Sequence, residues 1–185
     1  MSKALIIVDM QYDFVYGSLP VPNAKDIIPI IYWIAENVSY ECVTLTLDWH
    51  PEHHVSFKQW PIHCVEYSLG ATCVLDGHLF IKCMSPICFP IYKGINIEID
   101  SYSGFFDNDH KTKTDLQKNL NTFPNKIDEL DIVGLATDYC VKFTAMDAVK
   151  LGYKTNVLSF ACRGVTPETT NAAIKEMVDG GVKIT

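Results

Sequence analysis

Cys140 stands in the stretch Val133-Gly134-Leu135-Ala136-Thr137-Asp138-Tyr139-Cys140-Val141, where two patterns meet. The apolar run Leu130-Asp131-Ile132-Val133 predicts a buried strand stopping at Gly134. After Thr137, Val141, Ala145, Ala148 and Val149 recur at helical spacing. The cysteine therefore falls in the first turn of a helix that springs from a strand end. Unpaired backbone N–H groups and the positive end of the helix dipole favour an anion there. A thiol so placed is expected to have a lowered pKa and to act as a nucleophile near neutral pH. Against this stands the common fate of a free cysteine, which is to be buried and inert.

Other strand ends carry charges too. Residues 4–9 are an apolar strand ending in Asp9, Cys42-Val43-Thr44-Leu45-Thr46-Leu47 ends in Asp48, and Phe89-Pro90-Ile91-Tyr92 leads to Lys93. An ammonium stabilises a nearby thiolate and a carboxylate can take up the thiol proton. Together they would make Cys140 a nucleophile, Asp9 its general base and acid, and Lys93 an electrostatic support. Taken singly, Asp9 is equally a loop cap and Lys93 a solvated charge.

A second constellation is Asp48, His50, His54 and His63. His50, His53, His54 and His63 crowd one segment although the whole chain has only 6 histidines. Carboxylate and imidazole donors suit Zn²⁺, Fe²⁺ or Mn²⁺, and Asp-x-His spacing puts both side chains on one side of an extended segment. The alternative is a merely polar surface loop. Phe14, Trp60, Tyr102 and Phe105 lie in the loops expected around the strand ends, where flat walls suit a planar heteroaromatic ligand. Neither GxGxxG nor a P-loop occurs, which removes the usual case for a nucleotide.

Strands alternating with helices must position these groups. Ile27, Ile30, Ile31, Ile34 and Val38 mark a helix in which Pro29 fits only in the first turn. A short strand is predicted at Leu79-Phe80-Ile81, a short helix from Thr114 to Leu120, and a strand from Lys154 to Ser159. Thr166-Pro167-Glu168 starts a helix running to about Val178, and Val182-Lys183-Ile184 closes the chain as a strand. The alternation implies an α/β fold with a mainly parallel sheet, in which ligands bind beyond the carboxyl ends of the strands.

The 185 residues suit one domain, 1–185, and 48% hydrophobic with 20% charged residues is the balance of an ordinary globule. A net charge of −7 argues against nucleic acid or an anionic membrane as partner. No run is apolar enough to span a bilayer. Scattered cysteines, 7 in all and without a CxxC pair, point to a reducing, cytoplasmic setting.

Several segments together resemble the ordered motif set of nicotinamidases, within the isochorismatase-like cysteine hydrolases. They are Ala4 to Phe14 (ALIIVDMQYDF), Asp48-Trp49-His50-Pro51 with His54-Val55-Ser56-Phe57, Trp60 to Val65, Lys93-Gly94, Asp100 to Phe105 and Val133 to Val141. The resemblance implies a Rossmann-like three-layer α/β/α sandwich around a six-stranded sheet. It further implies hydrolysis of nicotinamide to nicotinate and ammonia in NAD salvage, through a cysteine thioester, with pyrazinamide also accepted. By position Asp9, Lys93 and Cys140 match the family triad. The N–H groups of Ala136 and Cys140 match its oxyanion hole, and the Leu135–Ala136 peptide matches a cis bond. Asp48, His50 and His63 match ligands of one divalent metal, zinc first and iron or manganese next, with His53 and His54 competing as a fourth. Phe14, Trp60 and Tyr102 match pocket residues, and a homo-oligomer is compatible with the family. Cys73 to Cys88 matches no known motif. Alternatives are another amidase or ether hydrolase of the superfamily, and a non-catalytic protein that binds nicotinamide or metal.

Overall fold

The computed structural model describes residues 2–75, 86 and 90–185. The strand expected at Leu79-Phe80-Ile81 lies outside the described residues, as does Phe89. Six strands form one parallel sheet in the order β3-β2-β1-β4-β5-β6. They are β1 Ser2–Val8, β2 Cys42–Asp48, β3 Ile91–Lys93, β4 Ile127–Leu135, β5 Lys154–Arg163 and β6 Lys183–Ile184.

Side-chain alternation splits the core into two layers. Leu5 and Ile7 of β1 face one apolar cluster, with Val43, Leu45 and Val133 and with Ile31 and Ile34 of the helix Ile28–Asn37. Ala4, Ile6 and Val8 face the other, with Ile132, with Ala145 and Ala148 of the helix Lys142–Lys150, and with Met177 of the helix Pro167–Asp179. Both faces of β1 are thus dry, which is why its sequence is continuously apolar rather than alternating. The result is the expected α/β/α sandwich. In chain order we label the helices α1 Tyr12–Val15, α2 Ile28–Asn37, α3 Leu116–Leu120, α4 Lys142–Lys150 and α5 Pro167–Asp179.

Element ends follow local chemistry. Pro29 sits in the first turn of α2, after a short 3₁₀ turn at Ala24–Ile27. Thr166 caps α5 by accepting the N–H of Thr169, as the sequence predicts. The helix expected from Thr114 starts at Leu116, because the Thr114 hydroxyl is used to donate to Gly104 O (2.6 Å) and accept from Leu116 N (3.1 Å). β5 runs past Ser159 to Arg163, across a register shift against β4.

The strand expected to stop at Gly134 instead passes through it to Leu135. Gly134 has φ +114°, and a Cβ there would lie 2.1 Å from the carbonyl oxygen of Val8 on β1. Glycine lets the two strands close at the end where Asp9 and the Cys140 turn emerge. Gly134→Ala should therefore cost about 3 kcal/mol or more, since a backbone clash adds to an unfavourable φ. A lowered urea midpoint would show it, and an unchanged midpoint would mean that the strands need no such approach.

Candidate active site

The carboxyl ends of β1, β2, β3 and β4 deliver the expected groups to one place. Asp9 follows β1 with φ +47°, its N–H donating to Thr46 O (3.1 Å) and its Oδ1 accepting from Thr46 Oγ1 (2.7 Å). Asp48 and Lys93 are register partners at the ends of β2 and β3. Cys140 lies in a wide π-type turn, Thr137–Val141, that joins β4 to α4.

Lys93 is the centre of the cluster and is 1% exposed. Its Nζ lies 2.9 Å from Asp9 Oδ2, 3.1 Å from Ser101 O and 3.5 Å from Cys140 Sγ, and it is bonded to Asp48 Oδ1. Burial alone would strip its charge, but the Asp48 and Asp9 carboxylates outweigh burial and hold it as an ammonium. Burial raises the Asp9 pKa, with Lys93 pulling it down and Asp48 pushing it up. The expectation of a lowered thiol pKa is corrected. Burial, with the Asp9 and Asp48 charges behind it, pushes the Cys140 thiol up, and Lys93 offsets only part of this. The helix start favours an anion, but two carboxylates in a dry pocket oppose one more strongly. Burial and the two carboxylates thus favour the thiol form of Cys140 over the thiolate.

Asp48, His50 and His63 also converge, with ligand atoms within 4.8 Å of one another. Asp48 Oδ2 is 3.6 Å from His50 Nε2 and 3.9 Å from His63 Nε2. His50 Nδ1 lies 3.0 Å from Gly94 O and His63 Nδ1 lies 2.6 Å from Pro61 O. A carbonyl only accepts, so each Nδ1 carries the proton and each Nε2 turns a lone pair toward the carboxylate. Buried His50 Nε2 has no hydrogen-bond partner. Two lone pairs and a carboxylate facing one point fit a divalent cation, with the carbonyls as orienting partners.

His53 and His54, the two candidates for a fourth ligand, differ in their surroundings. His53 is exposed with φ +64°. His54 is buried and stacks on His50 at 4.2 Å. Its Nδ1 accepts from Ser56 N (3.3 Å), which leaves the proton on Nε2 facing Ile99 O at 3.2 Å. As arranged, His54 braces His50 and turns no lone pair toward it.

Gly94 fixes the other edge of His50. Its φ is +63°, and a Cβ would come within 2.5 Å of His50 Cε1. Gly94→Ala should displace the ring and weaken metal binding roughly tenfold to a hundredfold, the usual cost of losing an orienting partner. Competition with a chelator measures this, and an unshifted affinity would exclude His50 as ligand.

Phe14, Trp60 and Tyr102 line the cleft that contains Asp9, Asp48, His63 and Cys140. Trp60 Nε1 donates to Tyr102 Oη (3.2 Å), and both rings touch Tyr139. Phe105, expected beside them, is instead core, 2% exposed and stacked on Tyr153. Sequence reasoning missed Leu19, Val21, Tyr139 and Val165, which complete the apolar walls. It also missed the groups that aim the site. The Gln11 amide donates to Asp48 O (2.8 Å) and accepts from Asp48 N (2.8 Å), pinning that carboxylate's backbone. Asp138 accepts from Val165 N (3.1 Å) and Thr169 Oγ1, fastening the Cys140 turn to α5. No spacing rule marks such roles; only the fold does. The Leu135–Ala136 peptide is cis, and Ala136 lines the same cleft.

Residues 97–185 match the family model described as the isochorismatase domain. Over 208 residues the chain is 38% identical to the nicotinamidase of Escherichia coli strain K12, covering 98% of this chain and 93% of that protein. The structure superposes on PnC1 from L. infantum in complex with nicotinate with a TM-score of 0.91 at 33% identity, covering 100% of this chain and 92% of that one. It also matches the pyrazinamidase of Pyrococcus horikoshii in complex with zinc, with a TM-score of 0.85 at 36% identity and coverage of 100% and 99%. Similarity of this extent, over nearly the whole of both chains, shows that the chain belongs to the nicotinamidase family of isochorismatase-like hydrolases.

Proposed function

We propose that the protein, residues 1–185 acting as one domain, hydrolyses nicotinamide to nicotinate and ammonia, supplying NAD salvage in the cytoplasm. The observation that carries this is the meeting of Asp9, Lys93 and Cys140 with Asp48, His50 and His63, the two sets side by side through Asp48, at one aromatic-walled cleft. Relatives named nicotinamidase and a neighbour holding nicotinate support the same substrate. Asp48, His50 and His63 would hold one divalent cation, for which we assign zinc. When bound it supplies a Lewis acid facing the pocket, suited to a pyridine nitrogen.

Phe14, Trp60 and Tyr102 orient the flat ring and keep water from it. Asp9 takes the thiol proton as Cys140 Sγ attacks the carboxamide carbon, while Lys93 stabilises the sulfur's developing charge. The N–H groups of Ala136 and Cys140 hold the oxyanion. The C–N bond breaks as Asp9 returns its proton to the departing ammonia, leaving a thioester on Cys140. Asp9 then deprotonates a water that attacks the thioester carbonyl. The C–S bond breaks, the proton goes back to sulfur, and nicotinate leaves. Asp9 is suited to both transfers because burial raises its pKa. Incubating the purified protein with nicotinamide, and in parallel with pyrazinamide, and measuring ammonia tests the proposal. No ammonia above a blank from metal-loaded protein would refute it.

A further inference from the structure

Asp48 has two oxygens and they serve two different cation positions. Oδ2 faces His50 and His63, whereas Oδ1 faces the Lys93 ammonium. On the Lys93 side, Asp9, Asp48 and Cys140 place a carboxylate oxygen, a second carboxylate oxygen and a sulfur within 4.8 Å of one another, all buried. The carbonyl oxygen of Ser101 is a fourth donor, 3.1 Å from Nζ. Asp9 Oδ2 is buried without a well-aligned hydrogen bond and lies 2.9 Å from the Lys93 ammonium. Two carboxylates, a carbonyl and a thiol around one point are a metal ligand set, with a tethered cation at its centre.

We propose that Lys93 occupies a second metal site. Its ammonium bars a divalent ion from the Asp9–Asp48–Cys140 set and so keeps the sulfur free of metal. Without it, Asp48 would bridge two metal ions, the arrangement of two-metal centres, in which the ions sit about 3.5–4 Å apart. The second ion would take Cys140 as thiolate ligand, its proton leaving to solvent, and a sulfur whose lone pair is shared with a thiophilic metal attacks carbonyl carbon poorly. The ammonium supplies a positive charge without that bond. Lys93 thus acts as a selectivity element for the metal centre in addition to supporting the nucleophile. The inference rests on the reading of Asp48, His50 and His63 as holders of one resident ion.

Cobalt(II) titration of the metal-free protein, followed by stoichiometry and by thiolate-to-cobalt charge-transfer absorption, tests it. The unmodified chain should bind one cobalt without that absorption. Lys93→Ala should bind one more and acquire the absorption, Lys93→Ala with Cys140→Ser should lose the absorption, and propylammonium, which replaces the missing side chain, should expel the extra ion. Equal stoichiometry and no absorption in folded Lys93→Ala would overturn the inference. If that variant does not fold, the unmodified chain decides. Excess cobalt must leave it without the absorption, and its appearance there would overturn the inference. Should the unmodified chain bind no cobalt, the resident-metal reading fails, yet a sulfur-ligated ion gained only on removing Lys93 would still support this one.

Discussion

Replacing Cys140 with alanine should lower the rate of ammonia release by on the order of 10⁴-fold or more, the scale seen when a covalent nucleophile is removed. The fold should survive. Cys140 is 6% exposed and small, and alanine removes only a sulfur atom from a turn fixed by Asp138 and the backbone. The matched measurements are turnover and thermal unfolding. An intact melt with turnover near the native rate would remove Cys140 from the mechanism and leave a metal-directed hydrolysis in its place. Loss of turnover with an intact melt, and continued binding of nicotinamide, is the expected result.

Asp48→Ala is the second large effect, because one carboxylate is shared between the metal set and Lys93. Bound metal should fall at least tenfold after dialysis, and KM should rise as the ring loses its anchor. Stability should fall by about 3–5 kcal/mol, since Lys93 is left buried with one carboxylate fewer. His63→Ala separates the two consequences. It should lose metal similarly while leaving the Lys93 contacts, and hence most of the stability, in place. Metal content by elemental analysis and urea midpoints decide the case, and retention of metal by both variants would exclude the ligand set. Acid should mimic the loss reversibly. Burial lowers the His63 pKa, whereas for His50 the Asp48 carboxylate outweighs burial and raises it. A proton therefore competes with metal first at His50. Apparent metal affinity should therefore weaken as pH falls below the raised His50 pKa, which equilibrium dialysis between about pH 5 and 8 would follow.

Much of this site was legible before any coordinates, and the reason is topological. In a parallel sheet every strand points the same way, so a charged residue that ends an apolar run must arrive at the common carboxyl edge. Asp9, Asp48 and Lys93 each end such a run, and all three meet there. The π-type turn after β4 carries Cys140 to the same edge, as the change from strand to helical spacing implied. The metal set was legible for a similar reason, since Asp48 and His50 alternate on extended chain.

What the sequence by itself determined, then, is the order of elements, the edge on which the chemistry gathers and the residue types available to it. Those follow from periodicity and from residue type, which are properties of short stretches. Only the tertiary structure set the direction in which the Cys140 thiol is shifted, because a pKa depends on how dry the site is and on which carboxylates from other strands surround it. It alone buried His54 against His50 while leaving His53 exposed, and it alone sent Phe105 to the core while bringing Leu19, Val21 and Val165 to the pocket. Gln11, Asp138 and Gly134 owe their roles to contacts with residues far away in the chain, and such contacts exist only once the strands are side by side.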